Sequence, residues 1–103
     1  MEKRIKEFNK NLTYYREQMP VHARLLDIES EMGELAKEYL KSSSYGAKEF
    51  VLSDDFKEEF GDVLYALISL AGELNISCEE CVDVVLDKLN TRMQEKNNLG
   101  SGR

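Results

Sequence analysis

Apolar residues recur at steps of three and four along most of this chain, the spacing that places them on one face of an α-helix. The pattern predicts four helices, over about residues 3–18, 21–41, 53–74 and 77–96. The apolar face of the second helix comprises Leu25, Ile28, Met32, Leu35 and Tyr39, and that of the third Phe56, Phe60, Val63, Leu67, Leu70 and Leu74. No Thr/Val/Ile-rich alternating run favours a sheet. The predicted fold class is therefore all-α, with a subunit resembling an antiparallel four-helix bundle.

Each predicted boundary coincides with a residue that ends or starts a helix. Pro20 ends the first helix and can occupy the first turn of the second. A loop follows from residue 42 to residue 52, and Ser53 is the expected N-cap of the third helix. Ser77 and Glu80 form a capping box for the fourth. Residues 63–71 are apolar nearly all round their helix, which one small subunit can hardly cover, so we expect a homodimer or a dimer of dimers.

Length and charge narrow the class of protein. The 103 residues fit one domain, expected over residues 1–96, and the polar, glycine-rich residues 97–103 are expected to be a disordered tail. Twenty acidic against fourteen basic residues disfavour a nucleic-acid polymer as partner. The sequence lacks an apolar run of membrane-spanning length and a signal peptide, so we expect no membrane association and a cytoplasmic location.

A short acidic motif occurs twice, as Glu31-Met-Gly-Glu34 in the second helix and as Glu59-Phe-Gly-Asp62 in the third. Residues i and i+3 share a helix face, so two packed helices would bring four carboxylates together. Each like-charge pair at ~4 Å costs roughly 4 kcal/mol at an effective dielectric of ~20. An isolated Glu-x-x-Glu is common on solvated helices, but two copies in phase favour a site for a hard divalent cation, Mg²⁺ or Mn²⁺.

These residues resemble the MazG-like, all-α nucleoside triphosphate pyrophosphohydrolases. That family carries Glu-Glu-x-x-Glu on one helix and Glu-x-x-Asp on the next, often as Glu-Glu-Leu-Gly-Asp. Here the second motif, Glu58-Glu59-Phe-Gly-Asp62, is a close match, and the similarity extends from about Leu25 to Arg92. The first motif departs from the family pattern because Ser30 stands where the family has its leading glutamate.

The resemblance implies Mg²⁺-dependent hydrolysis between the α- and β-phosphates of a nucleoside triphosphate, which releases a monophosphate and pyrophosphate. The family's metal ligands correspond to Glu31, Glu34, Glu59 and Asp62. Glu34 and Glu38 are the candidates for catalysis, with Glu38 one turn later, where it could position the water or bind a second ion. Glu58 is expected to face solvent.

Substrate phosphates also need cations, and Lys88 and Arg92 lie one turn apart on the fourth helix. They are the candidates for phosphate binding. An equally favoured alternative is that their aliphatic stems pack on the helix surface while their charged groups stay in water. Cys78 and Cys81 fit helix packing better than a zinc site, which would need two more ligands when His22 is the only histidine. A redox pair is also less favoured, because no βαβ pattern surrounds the two cysteines.

The two acidic motifs and the resemblance are compatible with three functions. The first is nucleoside triphosphate pyrophosphohydrolysis, with base and sugar specificity undefined. The second is the related phosphoribosyl-ATP pyrophosphohydrolysis. The third is a helical module that keeps the metal or nucleotide site without catalysis, for which Ser30 is the suggestive change. A base-recognition wall formed by His22 with Tyr14 and Tyr15 is a further candidate feature, less favoured than a surface or capping histidine.

Overall fold

A computed structural model describes residues 1–12 and 20–98. This part of the chain is all-helical and contains no strand, as predicted. The four helices are α1 (Glu2–Leu12), α2 (Val21–Ser42), α3 (Asp54–Leu74) and α4 (Cys78–Asn98). The predicted end of the first helix, together with Tyr14 and Tyr15, lies outside the described residues. Helix α4 ends two residues beyond the predicted boundary, and the predicted disorder of the remaining tail stays a prediction.

Hydroxyl groups start the last two helices, as the sequence indicates. The Ser53 hydroxyl accepts a hydrogen bond from the Phe56 backbone N–H at 3.0 Å, and Ser77 does the same for Glu80 at 3.2 Å. These bonds satisfy backbone donors that have no partner within the helix. Pro20 precedes the first residue of α2 and accepts from the Arg24 N–H at 2.9 Å.

A tight turn ends α2 and directs the chain toward α3. Ser44, Tyr45 and Gly46 all have positive φ angles, of 49°, 60° and 84°. The buried Ser43 hydroxyl donates to the Tyr39 carbonyl at 2.9 Å and accepts from the Gly46 N–H at 3.1 Å. A positive φ angle is unfavourable for Ser44 and Tyr45, which carry a Cβ. The two hydrogen bonds of the buried Ser43 hydroxyl stabilise the turn and offset this cost.

Helices α2 and α3 pack against each other as an antiparallel pair. At one end, Phe50 of the connecting loop stacks on Tyr39 and meets Phe56 edge-on, with ring centroids 5.2 and 5.0 Å apart. At the other end, Arg24 and Glu73 form an ion pair at 2.8 Å. The start of α2 therefore lies beside the end of α3, and the acidic motifs lie between these two contacts.

Helix α1 packs against the second half of α3. The Asn9 side chain donates to the Ser69 hydroxyl at 2.8 Å and accepts from the Tyr65 hydroxyl. Phe8 meets the Tyr65 ring edge-on with centroids 6.0 Å apart. Helix α3 is thus the central element, and it carries the buried residues Val63, Ala66, Ile68, Ser69 and Ala71.

Much of the predicted apolar surface is not buried within the described chain. Two rows spaced by seven residues stay 45–53% exposed: Leu25, Met32 and Tyr39 on α2, and Phe60, Leu67 and Leu74 on α3. The side chains of α4 are exposed from Glu79 to Asn97, so this helix is not packed along α2 or α3. The radius of gyration is 18.2 Å, against ~13 Å for a compact domain of this length.

The described residues therefore form four helices and no strand, whereas the packed bundle expected from the sequence is not formed by these residues alone. None of the described helices combines the length and apolarity needed to cross a membrane.

Candidate metal centre

Three carboxylates from the two acidic motifs converge between α2 and α3. Glu31, Glu59 and Asp62 each offer a carboxylate oxygen, and these oxygens lie within 4.8 Å of one another. Glu31 and Glu59 are half-buried, whereas Asp62 is exposed. The antiparallel pairing places the motifs side by side, and the i, i+3 spacing puts Glu59 and Asp62 on one face of α3.

Glu31 is half-buried and has several carboxylates as neighbours. Burial raises the pKa of this carboxyl above its ordinary value, and the neighbouring Asp62, Asp27 and Glu34 raise it further. Asp27 lies one turn before Glu31 and was not among the residues predicted from the sequence. The spacing of four residues between Asp27 and Glu31 places both on one face of α2 and could have indicated this neighbour from the sequence.

Glu59 experiences the same effect from the other helix. Burial is the largest cause of its raised pKa, followed by the charges of Asp62, Glu34, Glu31 and Glu38. The four predicted metal ligands are thus electrostatic neighbours. Glu34 is exposed and lies outside the group of three convergent oxygens.

Glu38 faces the same site with a cation beside it. Its carboxylate accepts a hydrogen bond from the Lys41 ammonium at 3.1 Å, and Glu38 is largely buried while Lys41 is exposed. The Lys41 contact orients one carboxylate oxygen. Glu58 is exposed, as the sequence indicated.

The donor set fits a hard divalent cation. Carboxylate oxygens are the preferred ligands of Mg²⁺ and Mn²⁺. Burial first, and then repulsion by the neighbouring carboxylates, raises the pKa of Glu31 and of Glu59, and a bound cation would offset both effects. An all-oxygen group without histidine or thiolate is a poor zinc site.

The other predicted site residues lie apart from this cluster. Lys88 and Arg92 are exposed on α4, which is not packed along α2 or α3, so their role in phosphate binding stays a prediction. His22 is exposed at the start of α2. Cys78 and Cys81 are free, and burial followed by the Glu2 carboxylate raises the pKa of the Cys78 thiol.

Comparison with known proteins identifies relatives over most of the chain. A family model described as the MazG nucleotide pyrophosphohydrolase domain matches residues 21–96. The uncharacterized protein YpjD of Bacillus subtilis (strain 168) is 42% identical over 77 residues, which cover 72% of this chain and 68% of that protein. No solved structure gave a significant match. The matched segment contains both acidic motifs and all of α2 and α3.

Proposed function

Since the chain belongs to the MazG nucleotide pyrophosphohydrolase domain family, we propose that it hydrolyses nucleoside triphosphates between the α- and β-phosphates. The products are a nucleoside monophosphate and pyrophosphate. The observation that carries the proposal is the convergence of Glu31, Glu59 and Asp62, with ligand oxygens within 4.8 Å, inside the segment that matches the family.

Glu31, Glu59 and Asp62 would hold Mg²⁺, with Glu34 as a fourth ligand or as a ligand to coordinated water. When bound, Mg²⁺ would neutralise phosphate charge and lower the pKa of an attacking water. The carboxylates hold the phosphate chain only through the cation, because they repel bare phosphate oxygens.

Glu38 is the residue that we propose to orient the attacking water. One of its oxygens is engaged by Lys41 at 3.1 Å, which leaves the other to accept a water proton. Water attack at the α-phosphorus breaks its bond to the bridging oxygen, and pyrophosphate leaves with that oxygen. Lys88 and Arg92 remain the candidates to bind the charge of the departing pyrophosphate.

We propose that a second copy of the chain completes the fold. The six residues of the two exposed rows, Leu25, Met32 and Tyr39 with Phe60, Leu67 and Leu74, support this assembly, as does the uncovered α4. A homodimer or dimer of dimers would also allow the α4 of one subunit to lie near the carboxylates of another.

A screen of all common ribo- and deoxyribonucleoside triphosphates tests the activity. With Mg²⁺ we expect pyrophosphate and monophosphate from at least one of them, and no orthophosphate. Orthophosphate with a diphosphate as products would place the cleavage at the wrong anhydride. Metal binding without turnover would indicate the non-catalytic module instead. Release of pyrophosphate from phosphoribosyl-ATP alone would assign the related reaction.

A further inference from the structure

A large cleft adjoins the three-carboxylate cluster on the side of α3 that faces α1. It has a volume of about 1070 Å³, enough for a small-molecule ligand. Residues of α1 and of the second half of α3 line it, and Arg24 adds a contact from α2. The first residue of α3 in this lining is Tyr65, one helical turn after Asp62 of the cluster. The cleft therefore begins beside the proposed metal site.

One face of α3 connects the cluster to the cleft. Asp62, Ser69 and Glu73 follow one another at steps of seven and four residues, so they point to the same side of this helix. On one flank of this face, Asn9 of α1 donates to Ser69 at 2.8 Å. On the other flank, Arg24 of α2 donates to Glu73 at 2.8 Å. A ligand held at Asp62 can thus extend along α3 between α1 and α2.

The distance along α3 decides which part of the cleft a nucleotide would reach. At ~1.5 Å per residue, Ser69 lies ~10 Å from Asp62, and the far end of the cleft at Ile76 lies ~21 Å away. A nucleoside spans the first distance and not the second. With its phosphates at the cluster, a substrate would therefore place its base beside Asn9, Tyr65 and Ser69, and not at the far end of the cleft.

The side chain of Asn9 has a defined orientation at this position. Its Nδ2 donates to the buried Ser69 hydroxyl at 2.8 Å, and its Oδ1 accepts from the Tyr65 hydroxyl. An asparagine amide has two N–H donors and two carbonyl lone pairs, so these bonds use half of its capacity. One N–H and one lone pair of Asn9 can meet a ligand, as can a lone pair of the Tyr65 oxygen.

These three groups form an ordered pattern, which is an acceptor on Tyr65, an acceptor on Asn9 and a donor on Asn9. Guanine presents the complementary order along its Watson–Crick edge, with its 2-amino group and N1–H as donors and O6 as acceptor. Adenine, cytosine and uracil can complete at most two of the three bonds. Because protein pockets read nucleobases through this edge, the pattern favours guanine.

From this arrangement we infer that Asn9 and Tyr65 read the base of the substrate and that this base is guanine. The inference rests on the proposed function, in which the carboxylate cluster takes the triphosphate through its metal. The cleft lining also supplies apolar surface for a ring, from Ile5, Leu12 and Ile68. Asn9 and Tyr65 would thus determine specificity, while cleavage depends on the cluster.

The test compares kcat/KM for GTP, ITP, ATP, CTP and UTP, with Mg²⁺ and detection of pyrophosphate. We expect the parent to prefer GTP at least tenfold over each of the others, because a site built for a hydrogen bond rejects a ligand that cannot make it. Hypoxanthine, the base of ITP, is guanine without the 2-amino group, so ITP probes the contact with the Tyr65 oxygen. Tyr65→Phe should therefore abolish the preference for GTP over ITP.

Asn9→Asp replaces the N–H that would meet O6 of guanine with an acceptor. Its preference for GTP over ATP should fall at least tenfold. Asn11→Asp makes the same change at an exposed position of α1 that does not line the cleft, and should keep the preference of the parent. A general loss of stability would leave these ratios between substrates unchanged.

Three results would overturn the inference. The first is equal use of the four common ribonucleotides by the parent, and the second is a preference for a base other than guanine. The third is a preference for GTP that is the same in Asn9→Asp and Asn11→Asp.

NMR spectroscopy with guanosine in the absence of metal separates this inference from the proposed activity. Guanosine should shift the side-chain N–H signals of Asn9, which are identified by their loss in Asn9→Asp, and adenosine should bind at least tenfold more weakly. This result can be obtained even if no nucleotide is hydrolysed, in which case only the proposed function fails. Unchanged Asn9 signals, or equal affinity for the two nucleosides, would overturn the base subsite irrespective of catalysis.

Discussion

The negative charges of Glu31 and Glu59 destabilise the metal-free fold, yet the proposed metal site requires them. Each is half-buried among other carboxylates, and each has a pKa raised first by burial and then by those neighbouring charges. Without a cation, the ionised forms therefore destabilise the folded chain. The repeated i, i+3 spacing was sufficient to predict that these residues meet. The spacing of Asp27, one turn before Glu31, was a further signal in the sequence, whereas the contact of Lys41 with Glu38 depends on side-chain positions that the sequence does not give.

Glu59→Gln keeps the shape of the side chain and deletes one charge. We expect the metal-free variant to be at least as stable as the parent in urea unfolding at neutral pH, while pyrophosphate release is abolished. Glu34→Gln should behave in the same way. Glu58→Gln, at an exposed position beside Glu59, is the matched control and should change the free energy of unfolding by less than ~0.5 kcal/mol.

The pH dependence supplies a second readout of the same prediction. Because the pKa of Glu59 is raised above 4.5, the folded state binds more protons than the unfolded state in the range above this value. The parent should therefore lose part of its stability as the pH rises through the raised pKa, and the advantage of Glu59→Gln should shrink as the pH falls toward 4.5. A variant that is less stable than the parent at neutral pH, yet still active, would assign Glu59 to a structural ion pair.

The starts of α3 and α4 follow from capping residues that can be recognised in the sequence, whereas the buried faces of the helices do not. Ser53 and Ser77 cap the helices that the pattern placed after them. The predicted apolar stripe of α3 included Phe60 and Leu67, which are exposed, whereas the small residue Ala66 is almost fully buried. Periodicity identifies an apolar face, but α3 is contacted by α1 and α2 on different sides, and this choice depends on tertiary packing.

The glycines of the two motifs, Gly33 and Gly61, test whether the described helices approach each other closely at these positions. A Cβ added at Gly61 would meet no atom within 4 Å, and the same holds for Gly33. Neither glycine therefore serves a close approach between the described helices. Gly61→Ala should raise the free energy of unfolding by ~0.5–1 kcal/mol, because alanine is the better helix former.

Gly46→Ala is the control with the opposite sign. Its φ of +84° is unfavourable for alanine, although the surrounding space is open, so this variant should be destabilised. Urea unfolding of both variants beside the parent measures the two effects. Destabilisation by Gly61→Ala would reveal a neighbour at this position in the assembled protein.

The chain has more apolar surface than its described residues cover. The two seven-residue rows on α2 and α3 and the side chains of α4 are exposed, and the subunit is extended. The apolar residues 63–71 indicated a second subunit from the sequence. The sequence could not predict which surfaces remain uncovered, because they depend on the direction of α4 relative to α2 and α3.

Assembly can be tested with one substitution in each row. We expect the parent to sediment at micromolar concentration with the mass of two or four chains. Met32→Glu/Leu67→Glu should shift this mass toward one chain, because a buried unpaired charge is costly at an apolar interface. Val51→Glu/Leu52→Glu, which changes two exposed apolar residues of the loop, should leave the mass unchanged. A parent that sediments as a stable monomer would contradict the proposed assembly.

The carboxylates of α2 and α3 are proposed to bind the metal on which nucleotide cleavage depends. A titration with Mn²⁺, in which electron paramagnetic resonance measures the free ion, tests this binding in the parent, Glu59→Gln and Glu58→Gln. We predict saturable binding that Mg²⁺ displaces and Na⁺ at matched ionic strength does not. Glu59→Gln should weaken this binding at least tenfold together with pyrophosphate release, and Glu58→Gln should change neither. Equal affinity for Mn²⁺ in all three proteins would contradict the claim.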